Sequence, residues 1–388
     1  MMRQLHRYLA KAVADGNAGA EQIALFARDD ELLEYGAGDL LPLGREIIRR
    51  LDVVALMILR PKLPLADLLP LTLSGSERTI VPQDTETRTF LHDIPVVRQA
   101  EFSTSDPQRL IDLLGQRKGI LVEGCGIIAT GAMTVEQAYI NCSSVFHALY
   151  VKCLLMPLRE EPLADNAVRM FQPFCDQLSE QIPEQVADLM PGPFRRQEDA
   201  LSAMIEAGRR TVELKLVDSF FGNISCRLEN RLLISQTGAS LDTLAGCVDP
   251  VPDDNSSTAG ITASSELIAH RAIYQATGAA VILHGHPKLS VALSLLCEEK
   301  DCKISDCWKD CDKVRYLQDV PVVAGEVGAG GLARKVPPVM GGGIAVVYGH
   351  GVFATGRNDF REPLLAMIKL ENWCREQYLR YFADRSKS

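Results

Sequence analysis

The chain is 388 residues long and 47% hydrophobic, enough for two domains of ordinary size, each with its own core. Its formal charge of -9 and pI near 5.4, with no long run of Lys or Arg, argue against nucleic acid or an anionic membrane as partner, while local groups still permit a small anionic substrate. No apolar run is long enough to span a bilayer, and Met1-Met2-Arg3-Gln4-Leu5-His6 lacks the apolar core of a signal peptide, so a cytoplasmic location with all eleven cysteines reduced is expected.

In chain order, the first half offers three apolar segments, Leu56-Met57-Ile58, Leu91-His92-Asp93-Ile94-Pro95 and Val122 to Gly131. Leu189-Met190-Pro191-Gly192-Pro193 then breaks a charged, helix-like stretch, which puts a linker there and predicts domains at 1–190 and 194–388. Arg195 to Lys215 has the composition of a helix. A strand, turn and strand follow through Phe220-Phe221-Gly222-Asn223-Ile224-Ser225 and Arg231-Leu232-Leu233-Ile234-Ser235. Ser264-Ser265-Glu266 opens a helix running to about Ala276, Ala280 to Leu283 reads as a buried strand, and Gly343 to Tyr348 as another.

The two halves repeat one another. Val122-Glu123-Gly124-Cys125-Gly126-Ile127-Ile128-Ala129-Thr130-Gly131 matches Val347-Tyr348-Gly349-His350-Gly351-Val352-Phe353-Ala354-Thr355-Gly356. Leu91 to Pro95 is paired with Leu283-His284-Gly285-His286-Pro287, and Leu56-Met57-Ile58 with Leu232-Leu233-Ile234. On that alignment Ile94 stands for His286, Cys125 for His350 and Pro61-Lys62 for Thr237-Gly238, leaving only His92 of three histidines. An inactive first copy kept for packing is favoured over a metal held by His92, Cys125 and Asp93, and the second copy gains an insertion that contains a cysteine-rich segment.

The chemistry concentrates in the second half. A strand sends residues i and i+2 to one face, so His284 and His286 can converge on one ion, with His350, between two glycines after another apolar strand, closing a facial set. Three imidazoles with an open position suit a catalytic zinc. Glu266 sits at a helix start beside Ser264 and Ser265, where unpaired N–H groups and hydroxyls also suit a dianion. Thr237-Gly238 forms a tight turn whose backbone can approach a ligand closely. His270, one turn after Glu266, is set aside as a packing or supporting residue rather than a ligand.

Taken in order, Gly222-Asn223-Ile224-Ser225, Thr237-Gly238, Ser264-Ser265-Glu266, His284-Gly285-His286-Pro287 and Gly349-His350-Gly351 resemble the class II aldolase/adducin family, strongly from about Phe194 onward and weakly before it. The resemblance implies a three-layer α/β fold, a central, largely antiparallel sheet flanked by helices, present twice. It implies a carbon–carbon lyase with Zn2+, or another divalent transition metal, on His284, His286 and His350, and Glu266 moving the proton. A ketose phosphate would set its phosphate against Gly222, Asn223, Thr237, Gly238, Ser264 and Ser265. Retro-aldol cleavage through a metal-stabilised enediolate would give dihydroxyacetone phosphate and an aldehyde. Tyr316 is a candidate proton donor across a subunit interface, while Tyr378 and Tyr381 read as packing. Family members commonly form tetramers, so a homo-oligomer is expected, either a dimer of fused copies or a tetramer. Alternatives are epimerisation or dehydration of a sugar phosphate on the same site, and a non-enzymatic, adducin-like interaction module.

Cys297, Cys302, Cys307 and Cys311 crowd one acidic-basic stretch without the close Cys-x-x-Cys pairs of familiar zinc knuckles. A reduced surface loop is the first reading, a structural metal the second and a redox disulfide the third.

Overall fold

The computed structural model describes every residue except 72, 74–76, 160–164, 219, 255, 298, 300–301 and 387–388. The chain forms two compact units, Met1–Gln177 with Tyr381–Ser388, and Leu178–Arg380. The Pro-Gly-Pro segment read as a linker lies inside the second unit. There Arg361 donates to the Leu189 carbonyl at 2.8 Å, and the Gly192 N–H donates to Asp359 at 3.1 Å. Both backbone groups of Ile182 pair with the Asn372 amide. These bonds hold the segment against the helix Arg361–Arg385 and its N-terminal approach, so the division falls earlier than the helix-breaking residues suggest.

The first unit is built on a seven-stranded sheet: β1 (Ile23–Arg28), β2 (Leu32–Gly36), β3 (Ala55–Leu59), β4 (Thr79–Ile80), β5 (Ile94–Val97), β6 (Gly119–Val122) and β7 (Gly126–Gly131), in the order β2-β1-β3-β7-β6-β5-β4. The second has eight strands: β8 (Asn223–Arg227), β9 (Arg231–Ser235), β10 (Val248–Pro252), β11 (Val281–Gly285), β12 (Arg315–Leu317), β13 (Val320–Val323), β14 (Ile344–Val347) and β15 (Gly351–Gly356), in the order β10-β9-β8-β11-β15-β14-β13-β12. With β10 set aside, the two orders are the same. Each sheet has one parallel pair, β5 with β6 and β13 with β14, and is otherwise antiparallel. Each β7 or β15 leads into a 25-residue helix, Val135–Arg159 or Arg361–Arg385. The fold is an α/β architecture present twice.

The pairing corrects the repeat alignment. β3 lies between β1 and β7 as β11 lies between β8 and β15, so Leu56-Met57-Ile58 corresponds to Ile282-Leu283-His284 and not to β9. β5 matches β13, which sets Leu91-His92-Asp93-Ile94-Pro95-Val96-Val97 against Leu317-Gln318-Asp319-Val320-Pro321-Val322-Val323. His92 and Gln318 even share a left-handed backbone, with φ of 64° and 58°. His92 is thus the counterpart of Gln318, and the equivalent strand ends lie equally far apart in both units, so the cysteine-rich segment is a substitution rather than an insertion.

β11 sits centrally in its sheet and is buried along its whole length. On one face Ile282 packs with Ala269, Ile273 and Tyr274 of the helix Leu267–Thr277, and with Phe353 and Val347. Met367 of the long helix closes on Gly285 from the other face. A strand covered on both faces loses polar alternation, which is why Val281-Ile282-Leu283 reads as a continuous apolar run and why a histidine at its end stands out.

Candidate metal centre

His284 ends the apolar run of β11, opposite Asn223 of β8 and Phe353 of β15. Its Nδ1–H donates to the Val352 carbonyl at 3.0 Å, and its ring stacks on Phe353 with centroids 4.0 Å apart. That bond fixes the tautomer and leaves Nε2 with a free lone pair. His286 follows the strand directly and precedes the helix Lys288–Ser294, whose first N–H groups, from Leu289 and Ser290, are both held at 2.9 Å by the buried Glu371 carboxylate. His350 sits in the turn between β14 and β15, tied by its own N–H to the Val347 carbonyl and by the Gly349 N–H to Ser294 Oγ at 2.8 Å. Three separate backbone anchors therefore aim three rings at one point.

One nitrogen from each of the three rings lies within 4.8 Å of the others, and His284 Nε2 faces His286 Nε2 at 3.0 Å. Among the described residues no other group of three or more His, Cys, Asp or Glu comes together this way. Burial pushes the His284 pKa down to about 4 despite the attraction of Glu266, so the imidazole is neutral and free to ligate near neutral pH. Three inward-facing imidazole nitrogens fit a divalent metal of the zinc type.

Glu266 stands at the rim of this cluster, as the residue capping the helix Leu267–Thr277. Its Oε1 is 3.2 Å from His350 Nε2, and its Oε2 is 3.5 Å from His284 Nε2. Burial opposes its ionisation, but His284, His350 and a hydrogen bond from the Asn223 amide at 2.8 Å outweigh it and hold the carboxyl well below the usual range. Behind Asn223 lies a buried chain that the sequence did not show as a unit. The phenol of Tyr274 meets Ser225 Oγ at 2.8 Å, Ser225 Oγ meets His270 Nδ1 at 2.7 Å, and His270 Nε2 meets Asn223 Oδ1. Burial pushes His270 down to about 3 and raises Tyr274 well above its ordinary range, so both are neutral. Only one direction then satisfies every atom: phenol to serine, serine to Nδ1, Nε2–H to the Asn223 oxygen, and the Asn223 amide N–H to Glu266. The signals were present as Asn223 and Ser225 two apart on a strand and as Glu266, His270 and Tyr274 four apart on a helix.

Two of the segments expected on the phosphate side lie next to each other. A bridge between Gln236 and Ala263 brings Thr237-Gly238 against Ser264, with Thr237 Oγ1 donating to the Ala263 carbonyl at 2.9 Å. Ser264 Oγ accepts the Glu266 N–H at 3.3 Å, which leaves its own hydroxyl hydrogen for another acceptor. Gly222, at φ 82°, has room for no Cβ, because one would sit 2.5 Å from the His284 carbonyl. Tyr316 lies elsewhere, exposed on the edge strand β12 and separated from β15 by β13 and β14.

The first unit shows the same scaffold with different side chains. Strand pairing places Ile58, Arg60 and Cys125 where the second unit has His284, His286 and His350. Arg60 forms an ion pair with Asp39, and burial pushes the Cys125 thiol up to about 11. Asp93 accepts two bonds from Arg117, at 2.6 and 2.8 Å, and His92 caps a short helix. A site made from His92, Asp93 and Cys125 is therefore not assembled. Phe26 occupies the strand position of Ser225, and a Cβ on Gly44, the helix position of His270, would lie 2.2 Å from the Phe26 ring. A ring thus fills the space of the hydrogen-bonded chain.

Comparison with known proteins points to one family. Residues 202–378 match the family model "Class II Aldolase and Adducin N-terminal domain". L-fuculose-1-phosphate aldolase from Thermus thermophilus is 26% identical over 48% of this chain and 94% of its own, with a TM-score of 0.37. A sugar-phosphate aldolase from Thermotoga maritima is 18% identical over 48% of this chain and 96% of its own, with a TM-score of 0.35. No curated protein matches the chain. No described helix is long and apolar enough to cross a membrane. The matched segment contains the triad, Glu266 and the Asn223 chain, so the similarity of this chain to the class II aldolase/adducin family lies in its second unit.

Proposed function

We propose that the second unit is a metal-dependent aldolase that cleaves a ketose phosphate to dihydroxyacetone phosphate and an aldehyde. The observation that carries this reading is the placement of an ionised carboxylate, Glu266, at 3.2 Å from one ring of the histidine triad and 3.5 Å from another. His284, His286 and His350 would hold Zn2+ or another divalent transition metal, which supplies Lewis-acid polarisation of the substrate carbonyl.

Glu266 takes the proton of the substrate hydroxyl on the far carbon of the bond to be broken, two carbons from the ketone carbonyl. That carbon–oxygen bond becomes the aldehyde carbonyl, the carbon–carbon bond breaks, and its electron pair stays on the carbon next to the ketone. Glu266 then returns its proton to that carbon, completing dihydroxyacetone phosphate without net gain or loss of protons. Asn223, held by His270, fixes the carboxylate in place during both transfers. Ser264, Ser265, Thr237, Gly238 and the turn of Gly222 and Asn223 form the phosphate side, using hydroxyls and backbone N–H groups in place of cationic side chains. The same reading carries a cytoplasmic, homo-oligomeric enzyme acting on a small molecule.

The test combines metal analysis of the purified protein with product analysis across ketose phosphates. Wild type should bind metal at the triad and release dihydroxyacetone phosphate. His284→Ala should lose both, and Glu266→Gln should keep the metal while turnover falls about 10²–10⁴-fold. Full cleavage by His284→Ala would overturn the reading, and an isomeric or dehydrated sugar phosphate as sole product would reassign the site to epimerisation or dehydration.

A further inference from the structure

Ten of the eleven cysteines fall into two groups by position, with the half-buried Cys247 standing apart. Cys125, Cys142, Cys153, Cys175, Cys226 and Cys374 are buried and act as small apolar side chains. Cys297 and Cys302 are exposed, and Cys307 and Cys311 are half-buried, all within the segment that joins the helix Lys288–Ser294 to β12. Packing does not account for four thiols there, because none of the four belongs to the buried core.

The two ends of this segment are clamped together. Arg315 donates to the Leu296 carbonyl and, at 3.0 Å, to the Ser294 carbonyl, and its guanidinium lies 4.8 Å over the Tyr348 ring. Lys313 pairs with Glu299 at 2.9 Å, which draws the arm carrying Cys311 toward the arm carrying Cys297. The single helical turn Cys307–Asp310 begins at Cys307 and is followed directly by Cys311. That turn is itself tied down by the Glu326 N–H to the Trp308 carbonyl at 3.1 Å. Cys311, Cys302 and Cys297 all lie close enough to act electrostatically on Cys307, adding to the effect of its partial burial. Lys313 in turn feels Cys302 and Cys297.

We propose that Cys297, Cys302, Cys307 and Cys311 form a second metal site, a tetrathiolate zinc centre that closes the loop before β12. Four thiols would release four protons as the ion binds, with no change of oxidation state, and Lys313 and Arg315 offset the negative charge left on the complex. The wide Cys-x4-Cys-x4-Cys-x3-Cys spacing suits a loop whose ends are already clamped. Its thiols close on the ion when it arrives, because only the histidine triad stands preassembled among the described residues.

Cobalt(II) reports this site separately from the triad, since only thiolate ligands give intense sulfur-to-cobalt charge-transfer absorption in the near ultraviolet. The full-length protein, purified under reducing conditions and titrated with Co2+, should show that band. Cys302→Ser and Cys307→Ser should each abolish or strongly reduce it and remove about one equivalent of zinc from the protein, with the fold checked by circular dichroism. His284→Ala should keep the band. Absence of the band in wild type with all four thiols freely alkylated would overturn the proposal, as would intact mass showing disulfides between these cysteines. Failure of the aldolase reading would leave the band untouched, so the two outcomes are distinguishable.

Discussion

His270 carries no ligand role, yet it decides which way the Asn223 amide faces. A neutral ring must accept at one nitrogen and donate at the other, and Ser225 and Asn223 take those two positions. The protonated ring would donate from both nitrogens and break the chain at Ser225. Its pKa is pushed from 6.5 to about 3 by burial, so between those values the unfolded chain binds a proton that the folded chain refuses. Stability from this group is therefore complete above pH 6.5 and falls as the pH drops toward 3, by about 1.4 kcal/mol per pH unit in the steep part of that window. Urea midpoints of metal-free protein between pH 7 and pH 4.5 should fall more steeply for wild type than for His270→Gln, which keeps a donor for Asn223 but cannot titrate. Parallel curves would show that His270 is not the group responsible.

At the scale of elements, the triad depends on how closely β15 approaches the end of β11. A Cβ on Gly351 would lie 2.5 Å from the Gly285 carbonyl and 2.9 Å from ring carbons of both His284 and His286. Gly351→Ala should cost about 1–3 kcal/mol by overpacking and should weaken metal binding because two ligands must move together. Gly341, with nothing within 4 Å of the same position, should tolerate alanine on both counts. Calorimetric metal titration of the two variants checks this, and equal affinities would remove Gly351 from the account. The same strands show what the sequence could and could not reveal. Side-chain parity along β11 and the glycines flanking His350 are local, so the triad was legible. Strand identity in a sheet is set by partners far away in sequence, and short apolar strings match in more than one place. That is why β3 was read against β9, and His92 against His284. The chain from Tyr274 to Glu266 was hidden for a related reason: its spacings are local, but its joining requires β8 to lie beside the helix Leu267–Thr277, which only the fold supplies.

Across the whole molecule, one backbone plan appears twice and is filled in two ways. The second unit gives its central strand ends to polar groups that face one another and need either a metal or a fixed hydrogen-bond direction. The first unit fills the same positions with Ile58 and Phe26, and balances Arg60 with Asp39. Buried polar groups lose stability when a partner is removed, whereas an apolar core does not depend on one. Metal removal should therefore loosen one sheet and not the other. In hydrogen exchange followed by mass spectrometry, a chelator should speed exchange of amides in β11 and β15, where His284 and the turn of His350 are held, and leave β3 and β7 unchanged. Ligand binding stabilises only the state that holds the ligand, so the size of the change at β11 should grow with the metal concentration used for the loaded sample. Equal acceleration in both sheets would mean that the two cores do not open separately. No change in either would mean that the triad contributes nothing to the stability of the sheet that carries it.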